Sequence, residues 1–134
     1  MKIKYDDCAN SELFELAIKR IGKKGYWHVI GELQGRGSRD VFQKAVLWCK
    51  STVRQERELG ASILGQLGLQ KDHFRKHSIK ILMCLLDDSD VDVIASAAYA
   101  LGHRRAADAV QKLVSLSHHP KVEVRQSIVS GLLT

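Results

Sequence analysis

A ten-residue apolar motif that recurs at a nearly constant spacing limits the fold of this chain more than any other feature of its sequence. The segments LGASILGQLG (59–68), VIASAAYALG (93–102) and VRQSIVSGLL (124–133) align at spacings of 34 and 31 residues, and a poorer copy, GYWHVIGELQ (25–34), lies 34 residues before the first. Small or aliphatic residues recur at positions i, i+1 and i+4, which lie on one stripe of a helix. We predict three buried columns: Val29, Ile63, Ala97 and Ile128; Ile30, Leu64, Ala98 and Val129; and Leu33, Leu67, Leu101 and Leu132.

The residues upstream of each motif repeat as well, so the repeating unit is a pair of helices. IKILMCLLDDSDVDV (79–93) aligns without a gap with VQKLVSLSHHPKVEV (110–124). One column of this upstream helix contains Phe14, Trp48, Leu82 and Leu113. A period of 31–34 residues built from antiparallel helix pairs is typical of an α-solenoid, in which each pair buries its apolar stripe against its neighbours. We predict about four pairs, in residues 8–36, 37–69, 70–103 and 104–134, with turns near 35–40, 68–72 and 102–106.

Small residues have two predicted roles in the second helix of each pair. A glycine that closes the motif, as at Gly68 and Gly102, is suited to a left-handed C-cap. Gly60 and Gly65, with the small residues between them, are predicted to let adjacent second helices approach closely. The opening motif is therefore interpreted as a stacking element.

The composition favours a single, purely helical domain. The 134 residues include only one proline, and segments of alternating polar and β-branched residues are missing, so we expect essentially no sheet. The length is that of one domain with a core of its own. Trp27 and Trp48 both fall in core-like helical columns, and we expect them in the interior, with partial exposure left open for Trp27 near the N-terminal layer.

The repeats contain three further features: an aliphatic–small–small–aliphatic helix closing in Leu-Gly, a D-x-x-V turn before it, and the segment ALGHRRAADAVQKLVSL (100–116) after it. In these features the chain resembles the bacterial HEAT-repeat family, in the subtype called PBS-lyase HEAT-like. The resemblance covers residues 58–133 well and 1–50 weakly. It implies an all-α fold, a short right-handed superhelix of about four HEAT-like helix pairs. Some HEAT-repeat proteins are iron hydroxylases that use His-Glu dipeptides, but this sequence contains none.

Sequence motifs for catalysis, cofactors and metals are missing. The sequence has neither a glycine-rich phosphate loop after a strand nor a nucleophile elbow. His73 and His77 share a helical face but lack an evident third ligand, so we expect no metal site. Three widely spaced cysteines, a polar N-terminus and the lack of a long apolar run favour a cytosolic protein without membrane contact. We therefore expect a protein that is not an enzyme and needs no cofactor.

The second helices leave a polar stripe beside their buried columns. Its own columns are Lys24, Glu58, Asp92 and Glu123; His28, Ser62, Ser96 and Ser127; and Gly31, Gly65, Tyr99 and Ser130. Because repeat proteins bind through extended concave surfaces, we predict that this stripe holds a basic or neutral segment of a protein or peptide. The predicted contact residues are Glu58, Ser62, Asp92, Ser96, Tyr99 and Glu123. The three acids also lie near predicted helix N-termini, where capping is a compatible role.

The charge distribution leaves a nucleic-acid function open. The net charge is +6, and residues 1–80 carry 16 Lys and Arg against 9 Asp and Glu, whereas residues 81–134 carry 5 against 6. A basic surface of this kind would bind phosphates, or would serve only solubility. The candidate anion-binding residues are Arg36, Arg39, Arg104 and Arg105. A small regulatory or immunity-type inhibitor is a further alternative.

The last repeat shows no polar capping helix after its apolar columns. Solenoids need their terminal layers covered. We therefore expect Ile128, Val129, Leu132 and Leu133 to contact a further repeat, a partner or a second copy of the chain.

Overall fold

Regular structure is entirely helical wherever the computed structural model describes the chain, which is over residues 5–66 and 74–133, with side chains up to Val129. This confirms the all-α prediction. Eight α-helices lie in the described ranges: α1 (Asn10–Arg20), α2 (Tyr26–Arg36), α3 (Arg39–Cys49), α4 (Arg54–Leu64), α5 (Arg75–Leu85), α6 (Val91–His103), α7 (Val110–Leu116) and α8 (Val122–Leu133). A short 3₁₀ segment, Ala107–Ala109, leads into α7. The predicted turn near 68–72 lies outside the described residues.

Contacts between helices follow the order of the chain in two ways. Consecutive helices pack together as α1 with α2, α3 with α4, α5 with α6, and α7 with α8. The second members of these pairs also contact one another in sequence, α2 with α4, α4 with α6, and α6 with α8. We call these four helices the second-helix row. Side chains from the row therefore meet over a continuous surface, although they are far apart in the sequence.

The predicted columns of the second helices are largely buried. Val29, Ile63, Ala97 and Ile128 are all in the core, and so are the first three members of the next column. The fourth member, Val129, is exposed, and it belongs to the terminal face that was expected to need a further repeat, a partner or a second copy to cover it. Leu67 and the side chain of Leu132 lie outside the described part of the chain. The helical period of the apolar residues thus identified the buried face of these helices wherever a neighbouring helix packs against it.

Two glycines in and beside α4 allow close helix contacts, but with different partners. A Cβ at Gly65 would lie 3.0 Å from the Cβ of Ala100 on α6, which agrees with the predicted approach of adjacent second helices. A Cβ at Gly60 would instead lie 2.7 Å from the carbonyl oxygen of Ala45 and 2.9 Å from Sγ of Cys49, both on α3. Gly60 therefore tightens its own helix pair, which corrects the predicted role of this residue.

Glycine caps explain some helix ends and not others. Gly37 follows α2 in the left-handed conformation, with φ of 55°. The predicted cap at Gly102 is wrong, because α6 continues through this residue to His103 and the left-handed residue is Arg105, with φ of 52°. The other predicted cap, at Gly68, lies outside the described residues.

Candidate binding groove

A groove with a volume of about 690 Å³ opens along the second-helix row. Volumes of 300–1,000 Å³ are usual for binding sites. The groove is lined by residues of all four helices of the row and of the turn after α4: Trp27, Gln34, Ser62, Gly65, Gln66, Asp92, Ala95, Ser96, Tyr99, Ala100, His103, Glu123, Gln126 and Ser127. The described residues of this lining supply carboxylates, amides, hydroxyls and two large aromatic rings, and none of them is a lysine or arginine.

Five of the six residues predicted to contact a partner line this groove. Asp92, Ser96 and Tyr99 follow one another at spacings of four and three on α6, so the helical period places them on one face. Ser62 of α4 and Glu123 of α8 join them from the neighbouring helices of the row. The sixth residue, Glu58, does not line the groove and lies half-buried beside it.

Three carboxylates beside the groove share one guanidinium group. Arg54 Nη1 lies 2.6 Å from Oδ2 of Asp92 and 3.8 Å from Oε2 of Glu58, and Arg54 Nε lies 3.7 Å from Oδ2 of Asp90. Burial raises the pKa of Glu58, Asp92 raises it further, Arg54 lowers it, and Asp90 adds to the increase. The pKa of Glu58 is therefore raised overall, mainly because its carboxyl group is half-buried.

Helix capping is performed by a different acid from those predicted. The N-cap of α6 is Asp90, whose Oδ1 accepts hydrogen bonds from the N–H groups of Asp92 and Val93 at 2.9 and 3.3 Å. Asp92 is the second residue of that helix, and Glu58 lies in the second turn of α4, because α4 begins at Arg54. Capping therefore does not explain the orientation of Asp92 or Glu58.

Two large aromatic side chains form part of the groove, of which Tyr99 was predicted from the sequence and Trp27 was not. Trp27 is 60% exposed, so it lies at the surface rather than in the interior, whereas Trp48 packs edge-on against Phe14 at 4.9 Å. Tyr99 is 38% exposed and contacts the ring of His103 edge-on at 4.4 Å.

Amide groups hold the floor of the groove in place. Gln34 Nε2 donates to the carbonyl oxygen of Ser62 at 2.9 Å, which ties α2 to the last turn of α4. Gln66 Nε2 lies 2.8 Å from Nδ1 of His103. Burial lowers the pKa of His103. The neutral ring can accept at Nδ1, so we assign the amide N–H as the donor in this bond.

Three groove residues that the sequence analysis missed lie one position before a column that it did identify. Trp27, Ala95 and Gln126 each immediately precede a member of the predicted column His28, Ser96 and Ser127. A groove lined by four helices is wider than one column of side chains, so adjacent positions also contribute to its wall.

Arg36, one of the predicted anion-binding residues, is engaged within the chain. Its Nη2 donates to the carbonyl oxygen of Tyr5 at 2.8 Å, and its Nη1 donates to the carbonyl of Cys8 at 2.9 Å and to Oδ1 of Asn10 at 2.8 Å. Its Nε pairs with Glu32 at 3.1 Å. These bonds fix the start of α1 against the end of α2, so Arg36 has a structural role.

The other three predicted anion-binding arginines do not form a common surface. Arg104 is only 2% exposed and donates from Nε to the carbonyl oxygen of Leu64 at 2.9 Å, so the expectation of a solvent-facing side chain is wrong there. Arg39 and Arg105 are exposed, at the start of α3 and in the turn after α6. None of the four lines the groove.

Two negative findings apply to residues 5–66 and 74–133. No group of three or more His, Cys, Asp and Glu side chains in these ranges is arranged to hold a metal ion. No helix described there is both long and apolar enough to cross a bilayer. His73, which was considered with His77 as a ligand pair, lies outside these ranges.

Comparison with known proteins gives no assignment. No protein-family model matches the chain, and no curated protein is significantly similar to it. The function therefore has to be inferred from the groove and its chemistry.

Proposed function

We propose that this chain is a non-catalytic interaction module, an α-solenoid of about four HEAT-like helix pairs that holds a segment of a protein or peptide along its second helices. The four sequence ranges assigned to repeats each contain two of the described helices, and the second helices contact one another in order. The observation that carries the proposal is the groove, because residues chosen from the repeat pattern on three separate helices line one continuous space.

The lining favours a polypeptide over a nucleic acid. Among the described residues that line it, Asp92 and Glu123 carry the carboxyl groups and none is a lysine or arginine, so the groove would repel a phosphate backbone. Amides and hydroxyls such as Gln126, Ser96 and Ser127 can bond to peptide groups, and the exposed rings of Trp27 and Tyr99 offer apolar area. Aromatic residues of this kind are the most frequent anchors of protein interfaces.

A capture experiment with two matched double variants tests this proposal. Tyr99→Ala with Asp92→Lys removes an aromatic contact and reverses a charge inside the groove. Val114→Ala with Glu15→Lys makes similar changes at exposed positions of α7 and α1, outside the groove. We expect the groove variant to lose a captured protein by a factor of about thirty, the scale of an interface hot spot, while the control variant retains it. Circular dichroism and thermal melting should match the unsubstituted chain for both.

Two outcomes would overturn the proposal. Retention of every captured protein by the groove variant would show that the groove is not the binding surface. Salt-sensitive binding to a DNA or RNA duplex, lost on Arg39→Glu with Arg105→Glu and kept by the groove variant, would instead favour the nucleic-acid alternative.

A further inference from the structure

The groove carries a charge opposite to that of the chain as a whole. Asp92 and Glu123 line it, and Asp92 shares the guanidinium of Arg54 with Glu58 and Asp90, so a formal count of these four carboxylates against one guanidinium gives −3. The chain as a whole has a net charge of +6. Focused negative charge in a concave surface raises the local concentration of cations.

The two carboxylates that line the groove remain available to a ligand. Arg54 contacts Asp92 at Oδ2, and the side chain of Asp92 is still 61% exposed. Glu123 is exposed, and within the described part of the chain it makes no ion pair. An arriving cation would therefore meet carboxylate oxygens that the fold has not used.

Aromatic rings in the same groove can contact the methylene groups of a basic side chain. Trp27 and Tyr99 are among the large hydrophobic residues that the structure leaves exposed, and both line the groove. The methylene groups of lysine and arginine pack on such rings, and their charged ends are attracted to the ring faces.

We infer that the segment held in the groove presents an arginine or lysine side chain, which pairs with Asp92 and Glu123 while the neighbouring part of the segment rests on Trp27 and Tyr99. This inference rests on the proposed function and names the chemistry of the partner. Burial and Asp92 raise the pKa of Glu58 against the effect of Arg54, which is consistent with an unbalanced cluster that an added cation would relieve.

The two tryptophans provide a direct readout of peptide binding. The indole N–H signals of Trp27, in the groove, and Trp48, packed on Phe14, can be followed separately by nuclear magnetic resonance on the whole chain. The probes are the pentapeptide acetyl-Gly-Arg-Leu-Arg-Gly-amide and the same peptide with citrulline at both arginine positions. Citrulline keeps the shape of arginine and removes its charge.

We expect the arginine peptide to shift the Trp27 signal to saturation and leave the Trp48 signal in place. The citrulline peptide should bind about tenfold more weakly, and raising the salt from about 50 to about 300 mM should weaken only the arginine peptide. Asp92→Asn with Glu123→Gln should weaken the arginine peptide about tenfold, whereas Asp108→Asn with Glu15→Gln, at exposed positions outside the groove, should not.

Each contrary result has a definite meaning. Equal binding of the two peptides would overturn the cation inference and leave the proposed peptide groove standing. If spermidine shifted the Trp27 signal as much as the arginine peptide does, the ligand of the groove would be a polyamine and not a polypeptide. No shift of the Trp27 signal by either peptide at millimolar concentration would overturn the inference. The proposed function would fall as well only if the groove variant of the capture experiment also retained every captured protein.

Discussion

The two sides of α4 are built in opposite ways. The side that carries Gly60 meets α3 so closely that an added methyl group would lie 2.7 Å from a backbone oxygen. The side that carries Ser62 faces the groove, and Glu58, four residues earlier, lies beside it. On the Gly60 side, which we call the closed side, the space available therefore limits which residues fit. On the Ser62 side, which we call the open side, charge decides instead.

The difference follows from helix geometry applied to one short sequence. Residues two positions apart on an α-helix, such as Glu58 and Gly60, point in nearly opposite directions, and residues four apart, such as Glu58 and Ser62, point the same way. Ser62 Oγ donates to the carbonyl oxygen of Glu58 at 3.2 Å, so even its hydroxyl is partly used within the helix. One helix can thus serve both as a packing element and as a wall of the groove.

The largest expected effect is on the closed side. Gly60→Ala should lower the free energy of unfolding by about 2–3 kcal/mol, because the new Cβ would meet backbone atoms of Ala45 and Cys49 that cannot move cheaply. Gly31→Ala is the matched control, since Gly31 lies within α2 and a Cβ there would meet nothing within 4 Å. That control should raise the free energy by about 0.5–1 kcal/mol through helix propensity. Urea denaturation measures both changes.

The two glycine substitutions test the contrast between the two sides of α4 directly. Equal effects of the two alanine substitutions on the denaturation midpoint would mean that α3 and α4 separate at little cost. The closed side would then tolerate added volume, and the contrast with the groove side would be lost.

An intermediate effect is expected from two arginines at equivalent places on α4 and α8. Arg57 Nη1 donates to the carbonyl oxygens of Ser51 and Thr52 at 3.0 and 3.2 Å, and Arg125 Nη1 makes the same kind of bonds to the turn before α8. Only Arg57 adds a two-bond ion pair, with Asp88 of the next helix pair, at 2.9 and 3.2 Å.

Arg57→Ala should therefore destabilise the chain by about 1–2 kcal/mol, and Arg125→Ala by less than about 1 kcal/mol. A double-variant cycle with Asp88→Asn isolates the ion pair, and we expect the two substitutions to be strongly non-additive for Arg57 and additive for Arg125. Additivity in both cycles would show that the link between neighbouring helix pairs depends on packing alone.

Sequence periodicity predicted the parts of the molecule that depend on local structure. The buried column Val29, Ile63, Ala97 and Ile128 was identified because a helix repeats its face every 3.6 residues, whatever its neighbours are. Asp92, Ser96 and Tyr99 were placed correctly on one face for the same reason.

Features decided by distant parts of the chain could not be predicted in this way. The alignment paired Gly60 with Arg125, but Arg57 makes the equivalent bonds, because α4 extends further toward its N-terminus than the motif indicated. Arg104 was expected on the surface, but its partner, the carbonyl of Leu64, lies forty residues away in the sequence. Trp27 falls in a core-like column of its helix but is 60% exposed, and the helical period alone does not show which columns a neighbouring helix covers.

The smallest expected effect, and the one of opposite sign, belongs to the open side of α4. The pKa of Glu58 is raised above its usual 4.5 in the folded chain, so folding disfavours its ionised form and the stability of the chain falls as pH rises through this range. Glu58→Gln should therefore raise the free energy of unfolding at pH 7 by less than about 1 kcal/mol, and this gain should shrink as the pH is lowered toward 4.5 and below. Glu15→Gln, on the exposed surface of α1, is the matched control. A loss of stability on Glu58→Gln at pH 7 would mean that the attraction to Arg54 outweighs burial and the neighbouring acids. Ion pairing would then stabilise the groove side of α4, as packing against α3 stabilises the other side.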